Sequence, residues 1–407
     1  MDRKRFLFIL PFFPWPLVSG GHQGIFNNIR AVSSFAEVHL AYYAGQKDQD
    51  KRFHDPIKEA LGGDVSIHPY IDKPLKWTRA VAFRKIGNKV FKKVDHFSYS
   101  LHSIKLHDEA YYRFVNDLIA RYRIDFVQVE MAQNMDFILT LPEQVKRIFV
   151  HHELCYVRNA QLIGRYGETA YSHALFELEK IREIALLNRY DMILTVSDDD
   201  KKKLIEEGVT APIHASFSIV NTPAGRGTGE RRGSCRAVYV GPEAHYPNKL
   251  GLQWFLDEVW PLVKERNPLF RLDIVGRWSQ GTAADWTRKY KDIHFLGFVD
   301  NLSDALQECT MIVPIKVGSG IRMKILEAMS LGVPFVSTVV GAEGIPVVNG
   351  VHGFVTDDPQ QFADSLMQAE DPAIRAGMIE NGYQLVQTRY SFEAFVKSKR
   401  AAYEQLS

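Results

Sequence analysis

The stretch Met311-Ile-Val-Pro-Ile-Lys-Val-Gly-Ser-Gly-Ile-Arg-Met-Lys-Ile-Leu-Glu-Ala-Met-Ser-Leu-Gly-Val-Pro334 decides how this 407-residue chain is read. Met311–Ile315 is a short apolar run and predicts a buried strand. Lys316–Gly320 is a glycine loop. Ile321–Leu331 then has helical character and stops at Gly332, with Pro334 beyond it. A glycine loop that opens a helix presents bare backbone N–H groups and a positive dipole end, a setting that favours phosphate. Arg322 and Lys324 fall in the expected first turn, where cations oppose the dipole. A docked diphosphate would convert that mild local cost into an attraction. Glu327 follows Lys324 by three residues and shares its helix face. From there it could accept hydrogen bonds from ribose hydroxyls; an ordinary Lys–Glu surface pair is the alternative.

Outward from this stretch the same grammar repeats. Apolar runs occur at Phe6–Leu10, Val38–Tyr43, Phe126–Val129, Arg147–Val150 and Met192–Val196 in the first half. In the second half they occur at Ala237–Val240, Leu272–Val275, His294–Phe298, Met311–Ile315 and Phe335–Val339. They are continuous rather than alternating, so the predicted strands are covered on both faces. Longer helical patterns separate them, which implies βαβ units and parallel sheets. Many runs end directly in glycine, proline, serine or a polar residue, and ligands of open α/β sheets bind beyond such carboxyl ends. The segment Asn221–Ser234 is rich in glycine, threonine and charge and reads as a linker. The expected organisation is a domain over 1–222, a linker over 223–235, a domain over 236–389, and a C-terminal helix over 390–407 returning toward the first domain.

Composition narrows the classes. Hydrophobic residues are 46% and charged residues 24%, as in an ordinary globular protein, and the length suits two domains. A net charge of +2 gives no global case for nucleic acid. Cys155, Cys235 and Cys309 are far apart, which argues against a disulfide framework or a zinc knuckle and suits a reducing, cytoplasmic compartment. The N-terminal run Phe6–Leu10 is too short for a signal peptide and stops at Pro11. No apolar stretch approaches the roughly 20 residues that span a bilayer. The segment Lys73–Lys93 gathers eight basic residues with Trp77, Phe83 and Phe91 among them. That is the signature of an anionic membrane surface, with a solvated helical face as the alternative.

Residues Gly318–Thr338, followed by Gly341-Ala-Glu-Gly-Ile345, resemble the donor-site segment of retaining, family-four glycosyltransferases. That resemblance implies the GT-B fold, two Rossmann-like parallel-sheet domains facing each other across a cleft. It also implies a glycosyltransferase that moves a sugar from a UDP- or GDP-sugar donor to a glycan, glycolipid or polysaccharide-precursor acceptor. The family pattern has two glutamates separated by seven residues, the second followed by Ala-Met, a small residue, Gly, any residue and Pro. Glu327-Ala-Met-Ser-Leu-Gly-Val-Pro334 matches the second glutamate, which in the family binds the ribose. The first would fall at Ser319, a departure in the residue that touches the donor sugar.

Further segments carry the resemblance more loosely. Val240–Lys249 resembles the loop that opens the family's C-terminal domain, which makes Asn248 and Lys249 candidates for the diphosphate. Phe295–Asp300 resembles the segment that lines the nucleobase pocket through backbone near Val299. Gly20-Gly21 resembles the family's Gly-Gly loop, and glycines allow close backbone approach to a ligand; a plain strand–helix turn is the alternative. Val150-His151-His152-Glu153 ends a strand where the family places a histidine facing the donor sugar, with His152 the first choice and His151 the second. Adjacent strand residues point to opposite faces, which disfavours a metal pair. The expected donor site thus comprises Gly20, Gly21, Asn248, Lys249, Val299, Gly318, Ser319, Gly320 and Glu327, with His152, Arg322 and Lys324 as catalytic residues. Asp198-Asp-Asp200 follows Ser197 and is expected to head a helix, where acids favour the dipole. No metal is expected to be required. The rivals are a sugar-nucleotide epimerase and a non-catalytic nucleotide-sugar-binding scaffold. A Rossmann dehydrogenase is disfavoured because no Gly-x-Gly-x-x-Gly follows the first strand.

Overall fold

The computed structural model describes residues 3–62, 64–72, 107–166, 168–217, 219–220, 235–299, 301–318 and 321–406. The basic stretch Lys73–Lys93, most of the expected linker, and Ser319 and Gly320 lie outside the described residues. The chain forms two compact units: Met1–Phe217 together with Phe395–Ser407, and Ser218–Ala394.

The first unit is built on a seven-stranded sheet. Its strands are β1 (Arg5–Leu10), β2 (Glu37–Gly45), β3 (Val65–Ile71), β4 (Phe126–Glu130), β5 (Lys146–His151), β6 (Met192–Thr195) and β7 (Ile213–Ala215). They are ordered β3-β2-β1-β4-β5-β6-β7, and every neighbouring pair is parallel. β1 explains why the runs are continuous. Leu7 and Ile9 join Val127, Val129, Phe149 and Ile193 in one core, while Phe6, Phe8 and Leu10 join Val38, Leu40, Ile148 and Leu194 in the other. Both faces of the sheet are therefore dry, as parallel sheets require.

The second unit carries a six-stranded parallel sheet. Its strands are β8 (Arg236–Val240), β9 (Arg271–Val275), β10 (Ile293–Gly297), β11 (Thr310–Val313), β12 (Phe335–Ser337) and β13 (Phe354–Val355), in the order β10-β9-β8-β11-β12-β13. Ala237, Tyr239, Leu272, Ile274, Ile312 and Val336 pack here against Leu252, Phe255, Trp260 and Phe362. The two-sheet, Rossmann-like reading of the sequence is thus what the chain folds into.

Three strands were not foreseen, β3, β7 and β13, and each is a sheet edge. An edge strand has one neighbour and tolerates polar residues and proline; β3 contains Ser66, His68 and Pro69. β11 stops at Val313 rather than Ile315, because Pro314 has no N–H for the ladder. The helix Phe392–Glu404 buries Phe395, Lys399, Ala402 and Tyr403. Tyr403 stands 5.0 Å from the Phe6 ring, so the last residues complete the core of the first unit. Among the described residues no helix is long and apolar enough to cross a membrane.

Candidate functional site

In the second unit the carboxyl ends of β8 and β11 carry the chemistry. The helix Tyr246–Trp254 follows β8, and the helix Met323–Ser330 follows β11. Gly251 lets the first of these approach the sheet: a Cβ there would stand 2.3 Å from the Pro314 carbonyl oxygen. Lys324 reaches across from the second helix. Its Nζ donates to the Val240 carbonyl at 2.6 Å and to Asn248 Oδ1 at 3.4 Å, and lies 4.9 Å from the centre of the Tyr239 ring. Asn248 is itself buried and fixed, its Nδ2 donating to the Pro242 carbonyl at 3.0 Å.

Arg322 stands at the N-cap position of its helix, not in the first turn as expected from the sequence. The helix starts only at Met323, and the guanidinium folds back against Gly318. Gly318 has φ +123°, and a Cβ there would sit 2.8 Å from Arg322 Nη2. Gly318, Arg322, Lys324 and Asn248 therefore share one corner of the second unit. Burial strips water from the Lys324 ammonium and pushes its pKa down to about 7; the neighbouring Arg322 charge adds to the shift and Glu327 opposes it. Burial likewise raises the Glu327 carboxyl, with Lys324 pulling the other way. The donors of Lys324 face neutral oxygens, and among the described residues no ion pair ties it to Glu327. The ordinary Lys–Glu surface pair is not what the sequence encodes here.

Lys249 points elsewhere. Its Nζ lies 2.7 Å from Glu243, which also accepts from Thr282 Oγ1 at 2.6 Å and from the Ser279 N–H at 2.7 Å. The Lys249 ammonium, then the Thr282 hydroxyl, hold the Glu243 carboxyl down at about 2. Val299 lies just past β10, half-buried, beside Phe298. Phe298 is 66% exposed, with the Arg277 guanidinium 5.3 Å from its ring centre. An exposed aromatic face beside an arginine suits stacking on a base. Neither Phe298 nor Arg277 was singled out from the sequence for this; an apolar side chain at a strand end, left without core partners, is the signal.

In the first unit the two histidines part company. His151 ends β5 fully buried, its Nε2 2.8 Å from Glu183. Glu183 also accepts from the backbone N–H groups of Cys155 and Tyr156, so it caps the helix Cys155–Tyr166. His151 is thus part of the scaffold. His152 faces the other way, with Nε2 2.5 Å from Glu130 Oε2. Its ring lies against the helix Gly20–Ser33, where a Cβ on Gly24 would meet Cε1 and Nδ1 at 3.2 Å. Gly20 and Gly21 open that helix behind the N-cap Ser19, whose hydroxyl accepts from the His22 N–H. A Cβ on Gly21 would stand 3.0 Å from Met131 Cε, whereas Gly20 is open. Met131 itself takes φ +64° and ψ 155°, a strained conformation of the kind that gathers at functional sites. Glu130, Asn28 and Gly24 were not anticipated; the visible signal is a carboxylate closing the apolar strand Phe126-Val-Gln-Val-Glu130.

Asp198–Asp200 heads the helix Asp198–Glu206, and Ser197 caps it by accepting from the Asp200 N–H. Those acids have a structural place.

Comparison with known proteins gives a consistent picture. Residues 234–370 match the family model described as glycosyl transferases group 1. The chain is 25% identical over 300 residues to an uncharacterized 44.6 kDa protein in the cps region of Klebsiella pneumoniae, covering 65% of this chain and 73% of that one. Among solved structures, sucrose-phosphate synthase of Thermosynechococcus elongatus superposes with a TM-score of 0.68 at 15% identity, covering 99% of each chain. Anabaena HepE, solved in complex with UDP and glucose, superposes with a TM-score of 0.64 at 12% identity, covering 99% of this chain and 100% of that one. At such identities the two structures establish the shared fold. The chain therefore has the GT-B fold, and its residues 234–370 match the glycosyl transferases group 1 model.

Proposed function

We propose that the chain transfers a sugar, with retained anomeric configuration, from a nucleoside-diphosphate donor to a hydroxyl of a glycan, glycolipid or polysaccharide precursor. The observation that carries this reading is Lys324, a desolvated ammonium beside Arg322 at a glycine loop, held on neutral oxygens. Two cations gathered in one corner suit an anion, and a diphosphate is the anion that a glycosyl transferases group 1 domain has reason to hold. As the bond from the sugar to the diphosphate breaks, negative charge builds on the leaving oxygen. Arg322 and Lys324 stabilise that charge by position and electrostatics. Glu327 accepts from the ribose hydroxyls, and Phe298 with the backbone at Val299 receives the base. His152 supports the positive charge that develops on the donor sugar. The acceptor oxygen bonds to the anomeric carbon from the leaving-group face, and its proton passes to the departing diphosphate.

UDP in the HepE structure supports a UDP-sugar as the first donor to try, and GDP-sugars are the next. The relative from a cps region supports an acceptor in polysaccharide assembly. The proposal needs no metal, since the two cations carry the charge; transfer is expected to persist in EDTA. The test is a panel of UDP- and GDP-sugars with varied acceptors, measuring released nucleoside diphosphate. Binding without turnover would favour a non-catalytic scaffold, and conversion of the donor into a stereoisomer would favour an epimerase. For the basic stretch Lys73–Lys93, the proposal is an anionic membrane surface; no co-sedimentation with anionic vesicles at low salt would remove it.

A further inference from the structure

Glu130 ends β4 with its side chain fully buried, where an unsatisfied carboxylate is costly. The first unit surrounds it with donors from separate elements. Asn28 Nδ2, on the helix Gly20–Ser33, lies 3.1 and 3.2 Å from its two oxygens. Gln128 Nε2 donates at 2.7 Å, and His152 Nε2 stands at 2.5 Å. The Gln128 amide is oriented in turn by Tyr403, whose hydroxyl donates to Oε1 at 2.6 Å and so leaves Nε2 for Glu130. The same C-terminal helix brings Lys399 into the unit. Lys399 is fully buried, and its Nζ makes no hydrogen bond among the described residues. Burial pushes it down to about 8, with the Glu130 charge pulling it back up. Beyond Lys399 stands His214 on β7, whose pKa is lowered by burial and then by the Lys399 charge.

Stability alone does not call for this arrangement, because a buried ionic cluster is often no better than packed apolar residues. What it does achieve is a fixed imidazole. We infer that Glu130 is the positioning residue for His152: it accepts the Nε2–H, fixes the ring plane against Gly24, and leaves Nδ1 as the nitrogen that meets the sugar donor. The inference rests on the reading that His152 faces that donor. A carboxylate behind the ring makes Nδ1 a stronger acceptor for a sugar hydroxyl. Tyr403 orients the Gln128 amide that donates to that carboxylate, so the last helix of the chain reaches His152 through Gln128 and Glu130.

The test uses the full chain labelled with 15N-histidine, its His152 ring resonances assigned by a His152→Asn control. In the wild type, long-range 15N–1H spectra across pH 5–9 are expected to show the neutral ring protonated at Nε2. Glu130→Gln keeps the volume and removes the acceptor charge. It is expected to redistribute the proton between the ring nitrogens. With UDP-glucose as probe, or whichever sugar nucleotide of the panel turns over, kcat is expected to fall about 10–100-fold in Glu130→Gln, with KM changed less than about twofold. An Nδ1-protonated ring in the wild type overturns the inference without recourse to any variant. Unchanged ring resonances or unchanged kcat in Glu130→Gln overturns it as well. Absence of all turnover in a wild type with the Nε2–H ring in place would instead sink the transferase reading.

Discussion

At the scale of single residues, Lys324 makes the sharpest prediction. Its ammonium has a pKa of about 7 because burial penalises the charge, so near neutrality a large share of the chain carries it uncharged. A bound diphosphate favours the protonated form, and binding therefore takes up a proton. Affinity for UDP or GDP is expected to be flat well below pH 7 and to fall above it, approaching about tenfold per pH unit. Titration calorimetry in two buffers of different ionisation enthalpy reads both the slope and the proton uptake. Lys324→Met should weaken binding and flatten the slope. Glu327→Ala should weaken nucleotide binding by about tenfold or more while the unfolding transition stays in place; unchanged affinity would remove the ribose role. Arg322, Lys324 and Glu327 could be grouped from the sequence because one short stretch holds them all. Glu130 and Asn28 were not, because 102 residues separate them and only the parallel sheet brings them together. Lys249 shows the limit from the other side. Its neighbour Asn248 turns to Lys324, while Lys249 is held by Glu243, and one residue of helix rotation decides which of the two joins the corner.

Elements position these residues through close backbone approach. The helix Tyr246–Trp254 lies near enough to β11 that a methyl group at Gly251 would meet the Pro314 carbonyl oxygen at 2.3 Å. The clash is with backbone, which yields little. Gly251→Ala is expected to destabilise the second unit by about 1–3 kcal/mol, read as a lower urea midpoint with an unchanged slope. It should also weaken nucleotide binding, since Asn248 rides on the same helix. The central strands were legible because both of their faces are buried, which demands continuous apolar runs. The edge strands β3, β7 and β13 were not, because one open side removes that demand. The start of the helix Met323–Ser330 was placed too early because no capping side chain marks the boundary at Arg322.

On the scale of the whole molecule, two parallel sheets each build one compact unit. The two-domain organisation was legible in the repeated strand–helix grammar. The return of the last helix toward the first domain was expected as well, and Phe395–Ser407 do belong to the first unit; what could not be read was that Tyr403 and Lys399 are buried in it. Ending the chain at Ser391 removes Ala402 and Tyr403 from the core beside Phe6 and Phe126. That truncation is expected to unfold the first unit, seen as loss of its amide-exchange protection. The central claim, a glycosyltransferase whose Lys324 corner holds a nucleoside diphosphate, is tested most directly by release of that diphosphate from a sugar nucleotide. One member of a UDP- and GDP-sugar panel is expected to give steady release that persists in EDTA and falls at least about tenfold in Lys324→Met. Nucleotide binding with no release from any donor, whatever the acceptor, would contradict it.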